Sequence, residues 1–510
     1  VSLVISGRIV PLARTSEKST FAGKVWIGDD GRIERVTRGN AAGPRSGFDK
    51  AAVVDVGDDL VLPGFVDLHS HLAYATLPLW TQPGRTTPFL HHDSWPSAST
   101  YASDITWPAY ALLTAAPEAS LAYAEVRALI GGTTSIQGSP PKNRPLDGWM
   151  VRNVEDETFG GTISSNRVLA STLTVKPEVL AKRSAQMKAG AGFIYHCAEG
   201  QVSSIAANEY QSARKCGCLQ KDFVAIHTNA LNPGDYDAWT DPGTVVWSPF
   251  SNLWLYGSTT SVPSALARKI RVCVGSDWGP SGTRNVLGEI KVAALVSKRE
   301  RWNLTPFDLV RMITCEPGDA IAGPWNVQAG RLELNALGDV VVIAAKASAD
   351  PFATVLAATE NDVQLVVIGA RARYGNAKLM KAAKATFPSE LKIAGTKRVL
   401  SMTKLDNASE PWSFAQVLTR LEQVRADPKK EIDAAGNAAA AARMAGEAPR
   451  LRLALDMPLG KLPIGGLPKN LGEIVVPPIQ PLAHDAAFFA SLVGRGFHGG
   501  LLDGLEKFYA

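Results

Sequence analysis

Leu62-Pro63-Gly64-Phe65-Val66-Asp67-Leu68-His69-Ser70-His71 places two histidines at i and i+2 directly after an apolar run. On a β-strand that spacing points both imidazoles to the same side. Two neutral nitrogen donors converging from one strand end make half of a divalent metal site. Upstream, short β-runs with Gly-Asp turns (VSLVISGRIV, GKVWIGDDGRIERV, AAVVDV, DLVLP) predict strands of a small sheet domain over residues 1–62. Downstream, eight short apolar runs follow in order, mostly with helix-length segments between them: GFVDLHSH, GTTSIQG, MVRNVEDE, NRVLASTLTV, GFIYHCAE, DFVAIHTNAL, GTVVWSPFSN and RVCVGSDWGPSG. Repeats of this kind over roughly 260 residues have the size of a TIM-type barrel.

The expected fold class is therefore α/β, with a TIM-like (β/α)8 barrel over residues 63–322. A small composite β-sandwich is expected from both flanks, 1–62 and 323–380, because GRLELNALGDVVVIAA and DVQLVVIGARARYGN return to short strands. Residues 381–510 read as a mixed, partly helical C-terminal extension of open role. It carries an Ala-rich stretch near 429–445 and the Pro/Gly-rich PLGKLPIGGLPKNLGEIVVPPIQP.

Composition narrows the function classes. The formal net charge of +5 on 510 residues comes without a long basic run, so neither nucleic acid nor a membrane surface is an expected partner, and a small-molecule substrate is. Five cysteines at 197, 216, 218, 273 and 315 make no disulfide framework, which points to a reducing, cytoplasmic setting. Cys216-Gly-Cys218 has no partner pair and reads as structural. No apolar run reaches the length of a membrane span, and VSLVISGRIV reads as a strand rather than a signal peptide, with a leader removed ahead of Val1 left open.

In a TIM-type barrel, side chains at the C-terminal strand ends build the active site. His69 and His71 end the first run, His196 lies in the fifth, His227 in the sixth and Asp277 in the eighth. Three histidines and a carboxylate suit zinc first, with iron or manganese as alternatives, and leave room for a water. Such an ion brings the water pKa toward roughly 7, so hydroxide is available at neutral pH. Asp277 would touch the metal and accept a hydrogen bond from that water, while His227 orients the hydroxide or the atom it attacks. Glu199, three residues beyond His196, would carry a proton to the leaving group. Asp67 is expected to support the ligands by hydrogen bonding rather than to ligate.

PGFVDLHSH, HCAE, the sixth-run histidine, GSDW and the split flanking sheet together resemble the amidohydrolase superfamily, in the branch of cytosine, guanine and adenosine-type deaminases and triazine chlorohydrolases. The resemblance covers about residues 1–375. It implies His69, His71, His196 and Asp277 as metal ligands, His227 as the strand-six histidine and Glu199 as the proton-shuttling glutamate. Members with two metals usually bridge them with a carboxylated lysine on strand four; RVLASTLTV contains no lysine, although Lys176 follows, so one divalent ion is expected. Glu155 or Glu157 would be the route to another metal arrangement. The implied reaction is hydrolytic deamination of an amino-substituted heterocycle by metal-activated hydroxide, the alternative being cleavage of an amide, urea or carbamate C–N bond by the same site. A non-catalytic scaffold on the same barrel is the remote third reading. A homodimer is the oligomeric state that the resemblance suggests.

Aromatic residues cluster near these positions. His91-His92, with Trp80, Phe89, Trp95 and Trp107 around them, fit a lid over a planar substrate as well as they fit loop packing. Trp278, adjoining Asp277, and Trp80 are the substrate-contact candidates; Trp247, Phe250 and Trp254 follow the same logic. His484 and His498 in the tail read as surface or packing residues.

Overall fold

The computed structural model describes residues 2–44, 46–138, 150–155, 175–202, 204–346, 350–386, 388–402, 411–444 and 473–509. Four strands open the chain: β1 (Leu3–Ile9), β2 (Phe21–Ile27), β3 (Ile33–Arg38) and β4 (Ala52–Pro63). Seven short ones follow: β5 (Phe65–Asp67), β6 (Thr133–Ile136), β7 (Arg152–Asn153), β8 (Phe193–Cys197), β9 (Phe223–His227), β10 (Thr244–Trp247) and β11 (Arg271–Val274). Then come β12 (Val340–Ile343), β13 (Val363–Ile368), β14 (Arg371–Gly375), β15 (Pro388–Ile393) and β16 (Thr396–Ser401).

Both flanks join one hydrogen-bonded sheet in the order β15-β16-β14-β13-β12-β4-β1-β2-β3. The join is the antiparallel pair β4–β12, with Pro63 opposite Val340 and Leu60 opposite Ile343. The run VVVI of β12 has no polar residue because both of its faces are covered. Val340 and Val342 pack with Leu3, Ile5 and Val54, whereas Val341 and Ile343 join the larger core with Leu60 and Leu62. The sheet continues past residue 380, further than the sequence reading drew it. In β15 the sequence PSELKI alternates exposed and buried positions, the pattern of a strand covered on one face only.

The middle strands are parallel. β5-β6-β7 form one sheet and β11-β10-β9-β8 another. Of the eight predicted runs, the fourth lies almost wholly outside the described residues, as do the last two residues of the third. Val66 and Leu68 from the first run meet Val154, Ile194, Val224, Ile226, Val246 and Cys273 in one cluster with Ile321 and Trp325. The helix Cys315–Trp325 thus packs against side chains from successive strands. A parallel bridge between Ser70 and Asp277 links the segments that follow β5 and β11.

The extension is tied to this core. Ser413 and Gln416 form a capping box at the start of helix Phe414–Ala426, whose buried Phe414, Val417, Leu421 and Val424 recur at helical spacing. Further on, Arg284 donates to the carbonyls of Pro478 (3.1 Å) and Gln480 (2.8 Å) and pairs with the buried Asp485. Phe488 packs on Phe250, Phe497 on Phe89, and His498 stacks on Trp254 with ring planes 5° apart. The last segment therefore lies against the loops that follow β5 and β10, and His498 is a packing residue. All five cysteines are free thiols. Among the described residues no helix is long and apolar enough to cross a membrane.

Asp485 has two jobs, since its carboxylate also accepts from Phe488 N (3.0 Å) at the start of helix Ala486–Leu492. Asp485→Asn is expected to cost about 3 kcal/mol by leaving Arg284 buried without its counter-charge. Asp485→Ala, which also removes the cap, is expected to cost about 1 kcal/mol more. Denaturation midpoints of the two variants, with limited proteolysis of the tail, check this order.

Candidate active site

β5 ends at Asp67, so His69 and His71 sit in the extended segment just beyond it rather than within the strand. His196 is in β8, and His227 is the last residue of β9. Asp277 follows β11 by three residues, and its N–H donates to His69 O (2.8 Å). The structure brings all five together. Donor atoms of His69, His71 and His196 lie within 4.8 Å of one another, as do those of His69, His227 and Asp277. Asp277 Oδ1 is 3.1 Å from His69 Nε2 and 3.5 Å from His71 Nε2.

Backbone conformation aims several of these groups. On β9, Val224 and Ile226 face the inner cluster while Phe223 and Ala225 face the outer core, so strict alternation would turn His227 outward. His227 instead has φ 71° and Thr228 φ 55°, which brings the imidazole inside. Ala198 (φ 56°) does the same for Glu199 after β8, and Asp277 itself has φ 59°. None of these residues is glycine, and such conformations cost on the order of 1–3 kcal/mol each. They are concentrated where the chemistry-bearing side chains are.

The site is dry. His69, His196 and His227 are buried, and burial lowers the pKa of each, which keeps the rings neutral with lone pairs to offer. Burial alone would raise Asp277, but His69 beside it, with His227 and His71, holds the carboxyl well below the usual range. His69 Nε2 is sealed from water without a well-formed hydrogen bond, a state that a single bond to a metal would satisfy. The donor set of imidazole nitrogens and one carboxylate therefore fits zinc, iron or manganese. Asp67 accepts from His69 N (3.1 Å), Ser276 N (3.2 Å) and Ser276 Oγ (2.5 Å), so it ties the first strand end to the last. Burial pushes its carboxyl up to about 7.

Glu199 stands at the edge of this cluster, with Oε2 3.6 Å from His227 Nε2. Burial raises it to about 7 against the opposing pull of His92 and a hydrogen bond from Tyr256. Tyr256 Oη donates to Glu199 Oε1 (2.7 Å), and Trp95 Nε1 donates to the Tyr256 oxygen (2.9 Å). Asn252 Nδ2 donates to His227 Nδ1 (3.2 Å). The loop carrying His91-His92 is joined to the turn after β8. His91 bridges Gly200, His92 N donates to Glu199 O (3.2 Å), and the His92 ring lies 2.8 Å from Glu209, whose other oxygen accepts from Ala198 N (2.7 Å). Burial would lower His92, but its bonds to Asp93 and Glu209 outweigh this and push it up to about 10.

Trp278 stacks on Trp95 with centroids 4.9 Å apart and donates its backbone N–H to Asp277 Oδ1 (2.8 Å). Trp80 is engaged in the loop itself, donating to Asp104 and stacking on Phe89. Glu155 accepts from Gln137 (3.0 Å), and Lys176 precedes helix Pro177–Lys188; Glu157 lies outside the described residues. Sequence reading did not single out Asn252, Tyr256 or Glu209. The first two sit in a π-helical turn, Asn252–Tyr256, that no residue pattern announces, and Glu209 looks like an ordinary first-turn helix acid.

No family model matches the chain. It is 27% identical to the 5-methylthioadenosine/S-adenosylhomocysteine deaminase of Moorella thermoacetica over 310 residues, 54% of this chain and 70% of that one. It is 25% identical to the corresponding enzyme of Symbiobacterium thermophilum over 418 residues, 73% of this chain and 93% of that one. Among solved structures, an adenosine deaminase from Xanthomonas campestris with bound zinc aligns with a TM-score of 0.60 at 15% identity, covering 84% of this chain and 98% of that one. Guanine deaminase of E. coli aligns at 0.54 and 16%, covering 73% and 98%. The chain has the amidohydrolase fold. A triazine hydrolase variant aligns with a TM-score of 0.55 at 17% identity, covering 73% of this chain and 94% of that one, so the neighbours span the branch that the motifs resemble.

His69→Ala and Asp277→Ala are each expected to lower bound metal at least about 10-fold, the scale seen when the surroundings of a ligand are disturbed. Their circular dichroism should stay that of the parent. Elemental analysis of the purified proteins is the check, and full metal content in both would remove the assignment.

Proposed function

We propose that the chain is a metal-dependent hydrolase of C–N bonds other than peptide bonds, acting by hydrolytic deamination of an amino-substituted heterocycle. The observation that carries this is the convergence of His69, His71, His196, His227 and Asp277 in one buried cluster, with Glu199 3.6 Å from His227. The deaminases among its relatives support the choice of reaction, and the zinc in the Xanthomonas neighbour supports the choice of metal. In this reading residues 63–322 close into a (β/α)8 barrel, the flanking strands make a composite β-sandwich, and one zinc ion is held by His69, His71, His196 and Asp277.

A divalent ion bound there supplies Lewis acidity and a water activated near neutral pH. Asp277, held ionised, would take one proton from the attacking water and pass it to the ring nitrogen beside the attacked carbon. His227 stands across the cluster, where it orients the attacked atom. Trp278 and Trp95 wall the site with aromatic surface and keep bulk water from it. The ring carbon bearing the amino group gains the water oxygen, Glu199 hands its proton to the amino nitrogen, the C–N bond breaks and ammonia leaves, and the remaining hydroxyl proton returns to Glu199 as the ring carbonyl forms. A carboxyl near pKa 7 suits a group that takes and returns a proton in one turnover.

Ammonia release across amino-substituted purines, pyrimidines, triazines and pterins tests the reading, with N-acyl and ureido compounds run beside them. Deamination of a ring is expected; cleavage confined to acyl or ureido compounds would move the protein to the amide-hydrolysing alternative. Glu199→Gln is expected to lower kcat by about 10²- to 10⁴-fold, the usual worth of a positioned acid or base, with metal content unchanged.

A further inference from the structure

The loop after β10 does something that neither the motifs nor the metal cluster require. It leaves β10 through Pro249–Ser251 and enters a π-helical turn, Asn252–Tyr256, before reversing at the left-handed Gly257. Single π turns are rare and occur mostly at functional sites. A Cβ at Gly257 would come 3.0 Å from Phe497 O, so the C-terminal tail also presses on the end of this turn. Within one turn the chain delivers Asn252 to His227 and Tyr256 to Glu199, the two groups beside the metal cluster that handle protons or orient substrate.

We propose that this π turn is a positioning element, in which Tyr256, backed by Trp95, holds Glu199 Oε1 so that Oε2 is the oxygen that exchanges the proton. This rests on Glu199 being the proton carrier. The direction of each hydrogen bond follows from chemistry. An indole N–H can only donate, so Trp95 occupies an acceptor position on the Tyr256 oxygen, and the single phenolic proton goes to Glu199. Tyr256 is fully buried, and burial beside Glu199 keeps its phenol well above the ordinary tyrosine range, so it stays a donor.

The backbone of Glu199 is already pinned: its carbonyl accepts from His92 N, and Glu209 holds the preceding Ala198 N. The side-chain torsions are the freedom left, and the hydrogen bond from the phenol restrains them at the carboxyl end. Oε1 accepts from Tyr256 whether Glu199 is charged or protonated on Oε2, so the bond survives the whole proton transfer. Oε2 is the oxygen 3.6 Å from His227 and turned toward the cluster.

The test is steady-state kinetics of Tyr256→Phe, Trp95→Phe and Glu199→Gln, and of Tyr256→Phe and Trp95→Phe each in the Glu199→Gln background, with metal content and melting curves measured on each. The substrate is whichever C–N compound the parent protein turns over. Tyr256→Phe is expected to lose about 10- to 100-fold in kcat, the worth of a hydrogen bond to a charged group, with KM within about 3-fold and metal unchanged. In the Glu199→Gln background the same change should cost less than about 2-fold, since the two residues act as a unit. Trp95→Phe, which leaves the phenol in place, should lose less than Tyr256→Phe; if Tyr256→Phe does not fold, a kcat loss in Trp95→Phe that shrinks below about 2-fold in the Glu199→Gln background carries the test.

Equal losses in both backgrounds, an unchanged kcat, or a rise in KM alone would overturn the proposal while leaving the hydrolase reading intact. A parent protein inert toward every compound would instead remove the proton-carrier reading, and this proposal with it.

Discussion

Four imidazoles and a carboxylate are packed together in a buried space, and the surrounding structure is arranged around that constraint. Leaving one such group without a partner in a dry interior costs several kcal/mol. His69, His196 and His227 meet it by staying neutral, as burial dictates, and Asp277 by standing 3.1 Å from His69. The crowding holds because the strand ends cannot drift apart. Asp277 N is bonded to His69 O, and Asp67 accepts from both His69 N and Ser276, so the first and last strands are joined at the level of the cluster.

The cost of building the site is visible in the backbone. Ala198, His227, Thr228 and Asp277 all adopt left-handed conformations at strand ends, and in β9 and β8 these reverse the direction that alternation would give His227 and Glu199. Strain of this kind persists only where packing overdetermines it. The supporting shell supplies that packing: Thr260 Oγ1 donates to His227 O (2.5 Å), Ala230 N donates to Ala198 O (2.9 Å), and Glu209 holds Ala198 N. The loop of His91-His92 bridges to Gly200 beside Glu199, and the tail packs on Phe89 of that loop and on Trp254. The long aromatic segment is therefore part of the site's support, and Trp95 touches both Tyr256 and Trp278 within it.

What the sequence by itself determined is the ordered set His69, His71, His196, Glu199, His227 and Asp277, in or just beyond parallel strands. These were legible because each polar residue interrupts an apolar run, and a polar residue at a buried strand end has to be paired or ligating. The return of the chain to its first sheet was legible in VVVI, since a strand without polar residues is covered on both faces. β15 was not, because its Glu and Lys look like surface in a helical extension until a neighbouring strand covers one face. Only the tertiary structure decided that Asp67 ties strand ends together, that Trp80 belongs to its loop, and that Tyr256 and Asn252 reach Glu199 and His227. Those contacts depend on a π turn and on left-handed residues, which are imposed by packing between segments far apart in the chain, so no local run of residues encodes them.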